Sequence, residues 1–393
     1  MSGLGQSRGR IAALGGVIVI LLAAGSWVAL THASAQSTLR AGGGHAAGPA
    51  KVSKPKPKVP LSVVAVTPAP HAKYVNGAAA VKVQFSAPLA AGSPMPTIRP
   101  AIAGNWSPVG TDAVEFVPVR GFSQWMNVAV RIPGGAAGVQ SASGQLLAHS
   151  ATLHFQVGGF SQTRLTELLA QLGYLPVSWT PDAGQVAPPL GSATGQLSAA
   201  YAPPAGTFAW DAGYPAQLRS FWDAGRPSGM IVHGAVMAFQ SDHGLTMDGV
   251  AGTQVWQALM SAAAKDEANT RGYSYALASQ HYPETLTVWH DGHVILHTAA
   301  NTGIPVAPTT VGTAAVYLRY QTQVMKGTNP DGSKYADPVA WVAYFRAGEA
   351  VHYFPRGSYG SQQSLGCVEL PWTQAKDVWP YLTYGTLVTV TPA

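Results

Sequence analysis

The chain has 393 residues, a length that suggests two to four domains. Only 10% of them are charged, while 44 glycines and 30 prolines approach a fifth of the total; this balance argues for short strands and long loops and against a helical bundle. The formal charge of +6 is modest and partly local, in Lys51, Lys54, Lys56 and Lys58, which alternate with prolines. No aromatic platform accompanies that run, which argues against a nucleic-acid partner. It reads as a basic spacer beside an anionic membrane or wall polymer, or as an inert solvated linker.

Residues 11–30 carry no charge and follow Arg8 and Arg10. A run of about twenty apolar residues is long enough to span a bilayer as a helix, and the preceding arginines would hold the N-terminus inside. Ala33-Ser34-Ala35 resembles a small-residue cleavage site, so residues 1–35 are predicted to be a membrane anchor or a removable signal peptide. Either way the rest is exported, to the outer face of the cytoplasmic membrane or the cell wall. Residues 36–60 then read as an extended Lys/Pro spacer.

From 61 to 158 the pattern alternates, as in Val81-Lys82-Val83-Gln84-Phe85 and Val128-Ala129-Val130-Arg131-Ile132. Short period-two strands between Pro/Gly clusters predict an antiparallel β-sandwich. The stretch resembles bacterial Ig-like modules, and with no clustered acid, base or metal ligand its expected work is spacing.

Residues 160–264 change to helical character. Ser161 is predicted to cap a helix with Leu165, Leu168, Leu169 and Leu172 on one face, stopped by Gly173. A second helix is expected from about Met230 to His243 with Val232, Val236 and Phe239 inward. A third follows Thr253 with Val255, Trp256 and Leu259. The run Ala235 to Gly252, together with Leu172-Gly173-Tyr174-Leu175-Pro176, resembles the three-helix peptidoglycan-binding module. Residues 177–228 are inserted between its first two helices. The first half of this insertion is Ala/Gly/Pro-rich and reads as loose; Leu218, Phe221 and Trp222 predict a short added helix.

The last stretch, 273–393, is predicted to be mainly β. Asp291-Gly292 between two strand-like runs is a tight hairpin turn. His290, His293 and His297 could suit a zinc ion, but two of them straddle that turn and no carboxylate cluster accompanies them. Cys367 is the only cysteine in the chain, so no intrachain disulfide can form. An exported protein that keeps one unpaired thiol points to its reactivity. His352 ends a strand-like run, and Pro355, Gly357 and Gly360 lie in the loop between the two residues. Folding back that loop would bring imidazole to thiol, the pairing that generates a thiolate nucleophile at neutral pH. A buried apolar cysteine and a structural histidine are the plain alternative. Gly366 lets a carbonyl approach the backbone, and the amides of Gly366 and Cys367 could receive an oxyanion.

Ser364-Leu365-Gly366-Cys367-Val368, with His352 upstream and Gly385 to Val390 closing the chain, resembles the catalytic segment of YkuD-type L,D-transpeptidases. The usual pattern has His where this chain has Leu365. The resemblance implies a peptidoglycan acyltransferase that forms a Cys367 thioester with a stem tetrapeptide and passes it to an acceptor amine, with His352 as the base. It further implies that the carbonyl of Tyr353 orients His352, that Ser364 belongs to the same motif, and that Tyr335 lies on a flap lining the oxyanion side. Stem peptides and glycan would be the partners, and no cofactor or metal would be needed. A wall-binding protein with a degenerate catalytic domain is the alternative, motivated by Leu365.

Overall fold

The computed structural model describes residues 60–188, 191–223, 226–227 and 229–393. The expected membrane segment or signal peptide, and the Lys/Pro spacer up to 59, lie outside the described residues. Among the described residues no helix is long and apolar enough to cross a membrane.

The N-terminal part is built from β1 (Val63–Thr67), β2 (Val81–Phe85), β3 (Thr97–Arg99), β4 (Gly104–Val109), β5 (Ala113–Pro118), β6 (Asn127–Ile132) and β7 (Ala151–Gln156). They form two antiparallel sheets, ordered β1-β2-β5-β4 and β3-β6-β7. Alternation decides which face is inward. Val81, Val83 and Phe85 meet Val128, Val130 and Ile132, and all six are buried, at about 1.5–3 kcal/mol for each fully buried large apolar side chain.

The middle part holds α1 (Gln162–Gln171), β8 (Val177–Pro181), α2 (Ala193–Tyr201), β9 (Gly206–Trp210), α3 (Ala216–Arg219), the two-residue strands β10 (Trp222–Asp223) and β11 (Arg226–Pro227), α4 (Gly229–Asp242) and α5 (Thr253–Lys265). Helices α1, α4 and α5 fall where periodicity places them. On α4, however, the innermost residues are Ile231, Val236 and Phe239, and Val232 is only half-buried. Ser161 stands at the N-cap of α1 but its side chain makes no capping bond; its carbonyl accepts from the Leu165 amide and its own amide donates to Ala200 O at 2.7 Å.

The larger correction concerns the insertion. Its first half is not loose. Strands β8 and β9 pair antiparallel, and Ser192 caps α2 by accepting the Gly195 amide at 3.1 Å. Helix α2 packs on α1, which is buried on more than its leucine face. Arg164 and Glu167 are enclosed there at 1% and 0% exposure. Arg164 donates to Glu167 at 2.9 Å, to Gln171 at 3.2 Å and, from α2, to Gln196 at 2.8 Å.

The C-terminal part comprises β12 (Ser274–Ser279), β13 (Thr285–His290), β14 (His293–Ala299), β15 (Gly312–Ala315), β16 (Leu318–Thr328), β17 (Lys334–Arg346), β18 (Glu349–Tyr353), β19 (Val368–Leu370), α6 (Trp372–Val378) and β20 (Leu387–Thr391). One sheet runs β14-β13-β12-β20-β15 and the other β16-β17-β18-β19. Pairing is antiparallel except for β12 with β20 and β18 with β19. Leu286, Val288 and Val388 of the first sheet pack on Phe345, Val351 and Val368 of the second. Asp291 and Gly292, at φ 46° and 76°, make the expected tight turn.

The insertion joins its neighbours. On one side Tyr201 of α2 donates to Phe122 O at 3.0 Å, and Asn76 donates to Ser198 O at 3.3 Å. On the other, Tyr214 donates to Tyr273 O at 3.1 Å. Gly234 of α4 and Gly385 touch backbone to backbone, where a Cβ on Gly385 would sit 2.1 Å from the Gly234 carbonyl oxygen. Tyr275, Trp289 and Leu387 of the C-terminal sheet share one apolar core with the helices. Residues 273–393 expressed alone would therefore expose these three, a loss of roughly 5 kcal/mol at ordinary burial values. Against a usual stability of about 5–15 kcal/mol, that segment should melt far below the full chain or fail to fold. Thermal unfolding followed by circular dichroism checks this; equal melting temperatures would show that the shared core contributes little.

Candidate active site

Strands β18 and β19 set the geometry. Their parallel register pairs Val351 with Val368, His352 with Glu369 and Tyr353 with Leu370. Cys367 directly precedes β19, so one step back it stands level with Ala350, on the same side of the ladder as His352 and two residues along. Thiol and imidazole are thus brought to one face by the parallel pairing.

His352 is buried, and its Nδ1 lies 2.9 Å from the Tyr353 carbonyl oxygen. A carbonyl can only accept, so Nδ1 carries the proton and Nε2 of the neutral ring is bare. Burial lowers the His352 pKa; the Tyr353 carbonyl and the charge of Glu369 oppose that shift, while Arg356 adds to it. The ring rests neutral.

Cys367 is half-buried, with its Sγ 3.7 Å from Gly348 O. Burial pushes its thiol up to about 12, and the charges of Glu369 and Glu349 push the same way, against the Ala350 amide. These shifts favour a thiol beside a neutral imidazole at rest over a preformed thiolate–imidazolium pair. The main cause is desolvation of the sulfur, to which the charges of Glu369 and Glu349 add.

A polar loop holds the thiol in place. Ser364 Oγ donates to Cys367 O at 2.6 Å and accepts the Gly366 amide at 3.1 Å. That contact occupies the Gly366 N–H, which sequence reasoning had left open for an oxyanion. Gly366 itself adopts φ 111°, a conformation ordinary L-residues avoid. Leu365 beside it is 37% exposed and enters no core cluster.

Tyr335 on β17 pairs with Gly327 of β16, and its ring lies across that glycine. Its phenol pKa is raised, first by burial and then by the neighbouring ionisable groups of Cys367 and Asp337. Tyr344, which sequence reasoning passed over, senses Cys367 in the same way and donates to Gln323 at 3.1 Å.

Several other groups were not singled out from sequence. Asn301 is fully buried, and its Oδ1 accepts from the Gly360 and Ser361 amides at 2.9 and 3.3 Å and from the Gln363 side chain at 3.2 Å. Glu284, also buried, accepts the Thr302 amide at 2.6 Å and hydroxyl at 2.8 Å; burial raises its pKa and those two bonds restrain the rise. Arg356 grips Glu369 with Nε at 2.7 Å and a terminal nitrogen at 2.8 Å, a bidentate pair fixing the loop to β19. Glu349 accepts the Thr310 amide at 3.1 Å and hydroxyl at 2.5 Å.

The three histidines considered for zinc do not converge. His290 Nδ1 meets Ser274 Oγ at 3.0 Å and His297 Nδ1 meets Thr287 Oγ1 at 2.8 Å. Among the described residues no group of three or more His, Cys, Asp or Glu could hold a metal ion.

Residues 275–390 match the YkuD family model, the L,D-transpeptidase catalytic domain. The chain carries a YkuD catalytic domain. Residues 228–259, upstream of the YkuD domain, match the model of a putative peptidoglycan binding domain. No curated protein matches the chain. Among solved structures, L,D-transpeptidase 3 from Mycobacterium tuberculosis aligns over 84% of this chain and 98% of its own, at 15% identity and a TM-score of 0.28. An L,D-transpeptidase from Mycobacterium smegmatis aligns over 85% and 100%, at 15% identity and a TM-score of 0.29. The catalytic domain of the E. faecium L,D-transpeptidase aligns over 30% and 96%, at 27% identity and a TM-score of 0.28. At these TM-scores the family assignment rests on the sequence match to the YkuD domain, and peptidoglycan is the partner that the two matched models have in common.

The neutral resting thiol has a direct consequence. Burial holds the Cys367 thiol well above the ordinary cysteine range, so thiolate is scarce at neutral pH. Iodoacetamide alkylation of the free protein should keep rising through pH 9–10, where an ordinary cysteine levels off. A plateau already at pH 7 would show a preformed ion pair instead.

Proposed function

We propose that this protein is an exported peptidoglycan L,D-transpeptidase acting through a Cys367 thioester. The observation that carries this reading is the parallel β18–β19 pairing, which sets Cys367 and the bare Nε2 of His352 on one face inside the YkuD domain. As the stem tetrapeptide binds, the Cys367 thiol proton passes to His352 Nε2 while Sγ bonds to the carbonyl carbon before the terminal D-residue. The tetrahedral intermediate collapses, the C–N bond breaks, and His352 returns its proton to the departing amine. An acceptor amine then attacks the thioester, gives its proton through His352 to the leaving sulfur, and a cross-link forms; water in its place gives trimming. The Cys367 amide and the Tyr335 hydroxyl are the donors for the developing oxyanion, since Ser364 holds the Gly366 amide; one such donor is worth about 3 kcal/mol. Arg356 and Glu369 keep the loop in place, and the carbonyl of Tyr353 fixes the tautomer. The β-sandwich serves as an Ig-like spacer, and the N-terminal segment tethers the protein to the membrane or directs its export.

Incubating the full chain with disaccharide-tetrapeptide and following mass should show one acyl adduct on Cys367. His352→Ala should slow acylation by about 10²-fold or more, the usual scale for a general base. Leu365→His should change it far less, because an exposed side chain there is outside the Cys–His pair. Normal acylation by His352→Ala would remove His352 from the mechanism. A wild-type protein that binds sacculi yet never acylates would be a wall-binding protein with a degenerate YkuD domain.

A further inference from the structure

A cleft of about 380 Å³ opens between the helical part and the YkuD domain, well apart in sequence from Cys367. One wall comes from α4 and the loop after it, with His233, Met237, Met247 and Asp248; the other comes from the catalytic sheets, with Tyr317 and Arg346. The close Gly234–Gly385 contact holds the walls together. The loop wall is rigid: Gln240 donates to Asp248 Oδ1 at 2.7 Å and to Val250 O at 3.2 Å, and accepts the Gly249 amide at 2.8 Å.

Two chains of contacts connect the cleft walls to the surroundings of the nucleophile. Tyr317, 41% exposed, lies 6.3 Å centroid to centroid from Tyr344, the ring that senses Cys367. Arg346 stands opposite Glu349 in the β17–β18 turn and reaches the carbonyls of Thr310 and Val311 at 3.4 and 3.3 Å. Glu349 in turn grips Thr310 and packs beneath Gly366. Among the described residues no carboxylate forms an ion pair with Arg346.

We infer that this cleft is a binding subsite for the glycan strand that carries the reacting peptide. This rests on the function proposed above. The chemistry fits a saccharide bearing an acidic peptide. Exposed tyrosine and methionine surfaces suit the apolar faces of sugar rings, Asp248 and His233 offer hydrogen bonds to hydroxyls, and Arg346 offers an unpaired guanidinium to a peptide carboxylate. The walls come from a part matched to peptidoglycan binding and a part matched to peptide transfer, so one strand would satisfy both while its peptide reaches Cys367.

The test compares two donors on the full chain, disaccharide-tetrapeptide and the bare tetrapeptide. The wild type should acylate with the disaccharide donor at a kcat/KM at least about tenfold higher, since remote binding is drawn into the transition state. Met247→Glu and Tyr317→Ala, at side chains 38% and 41% exposed, should each bring the ratio close to one by slowing only the disaccharide donor. A wild-type ratio near one, or variants that slow both donors equally, would overturn the subsite. Calorimetric binding of the disaccharide-tetrapeptide to Cys367→Ala, with and without Met247→Glu, reads the cleft with no turnover at all. Binding weakened about tenfold or more by Met247→Glu supports the subsite even where neither donor acylates, a result that would sink only the transpeptidase reading; unchanged binding overturns the subsite.

Discussion

Replacing Cys367 with serine should leave the fold intact and abolish the acyl adduct. Burial favours a neutral thiol beside a neutral imidazole, so in the proposed mechanism the donor is attacked as the proton leaves sulfur for His352 Nε2. A hydroxyl is far less acidic than a thiol, and a buried histidine with a lowered pKa is a weak base to remove its proton. Serine is the smaller residue, and Cys367 sits only partly in its apolar cluster, so packing tolerates the change. Because Cys367 is the sole cysteine, a thioester seen by intact mass can lie nowhere else. Transfer retained by the serine variant would end the thioester mechanism. Unfolding of that variant, visible by circular dichroism, would instead assign Cys367 a structural role.

How much of this site was legible in the sequence depends on how local each signal is. Cys367 and His352 stand out because the single cysteine of the chain lies in the Ser364–Val368 run that resembles the family's catalytic segment, with a strand-ending histidine upstream. Their protonation was not legible, because it follows from what surrounds them. Glu369 follows Cys367 by two residues, but Glu349 comes from the preceding strand, and its effect on the thiol depends on the β18–β19 pairing. The same holds for Ser364, whose place in the motif was evident but whose hold on the Gly366 amide required the turn itself. Asn301 gathers amides from 360 and 361, a contact across some sixty residues that no periodicity encodes.

The fold shows the same divide. Alternation in the sandwich and the 3.6-residue rhythm of α1, α4 and α5 are one-dimensional signals and survive in the structure. In the insertion, Ala/Gly/Pro-rich composition predicts looseness where the structure has ordered strands and a helix. Helix α2 has little amphipathic pattern of its own; its order comes from Ser192 at its N-cap and from packing against α1 and the sandwich. Tertiary contact overrode weak local propensity.

Arg164→Ala should destabilise the protein by about 3–5 kcal/mol, the range for stripping one partner from a buried ion pair. Arg164 and Glu167 are almost wholly enclosed between α1 and α2, and Gln171 and Gln196 complete the network. Burial lowers the arginine pKa and raises that of the glutamate, and their mutual hydrogen bond and charge oppose both shifts. Arg164 Nε and Glu167 Oε1 already lack partners, so the pair carries a desolvation cost even when intact. Removing the guanidinium leaves Glu167 charged and alone, or forces it to take a proton, and removes the hydrogen bond from α1 to Gln196. Helix α2 also anchors the sandwich through Tyr201, so the loss should loosen both contacts together. Arg164→Met with Glu167→Leu removes both charges while keeping apolar volume, and should recover most of the stability, since well-packed apolar pairs often replace buried ion pairs without loss. Chemical denaturation of the wild type, the single variant and the double variant measures both effects. A single variant as stable as the wild type, or a double variant no better than the single, would show that the ion pair does not hold the insertion in place.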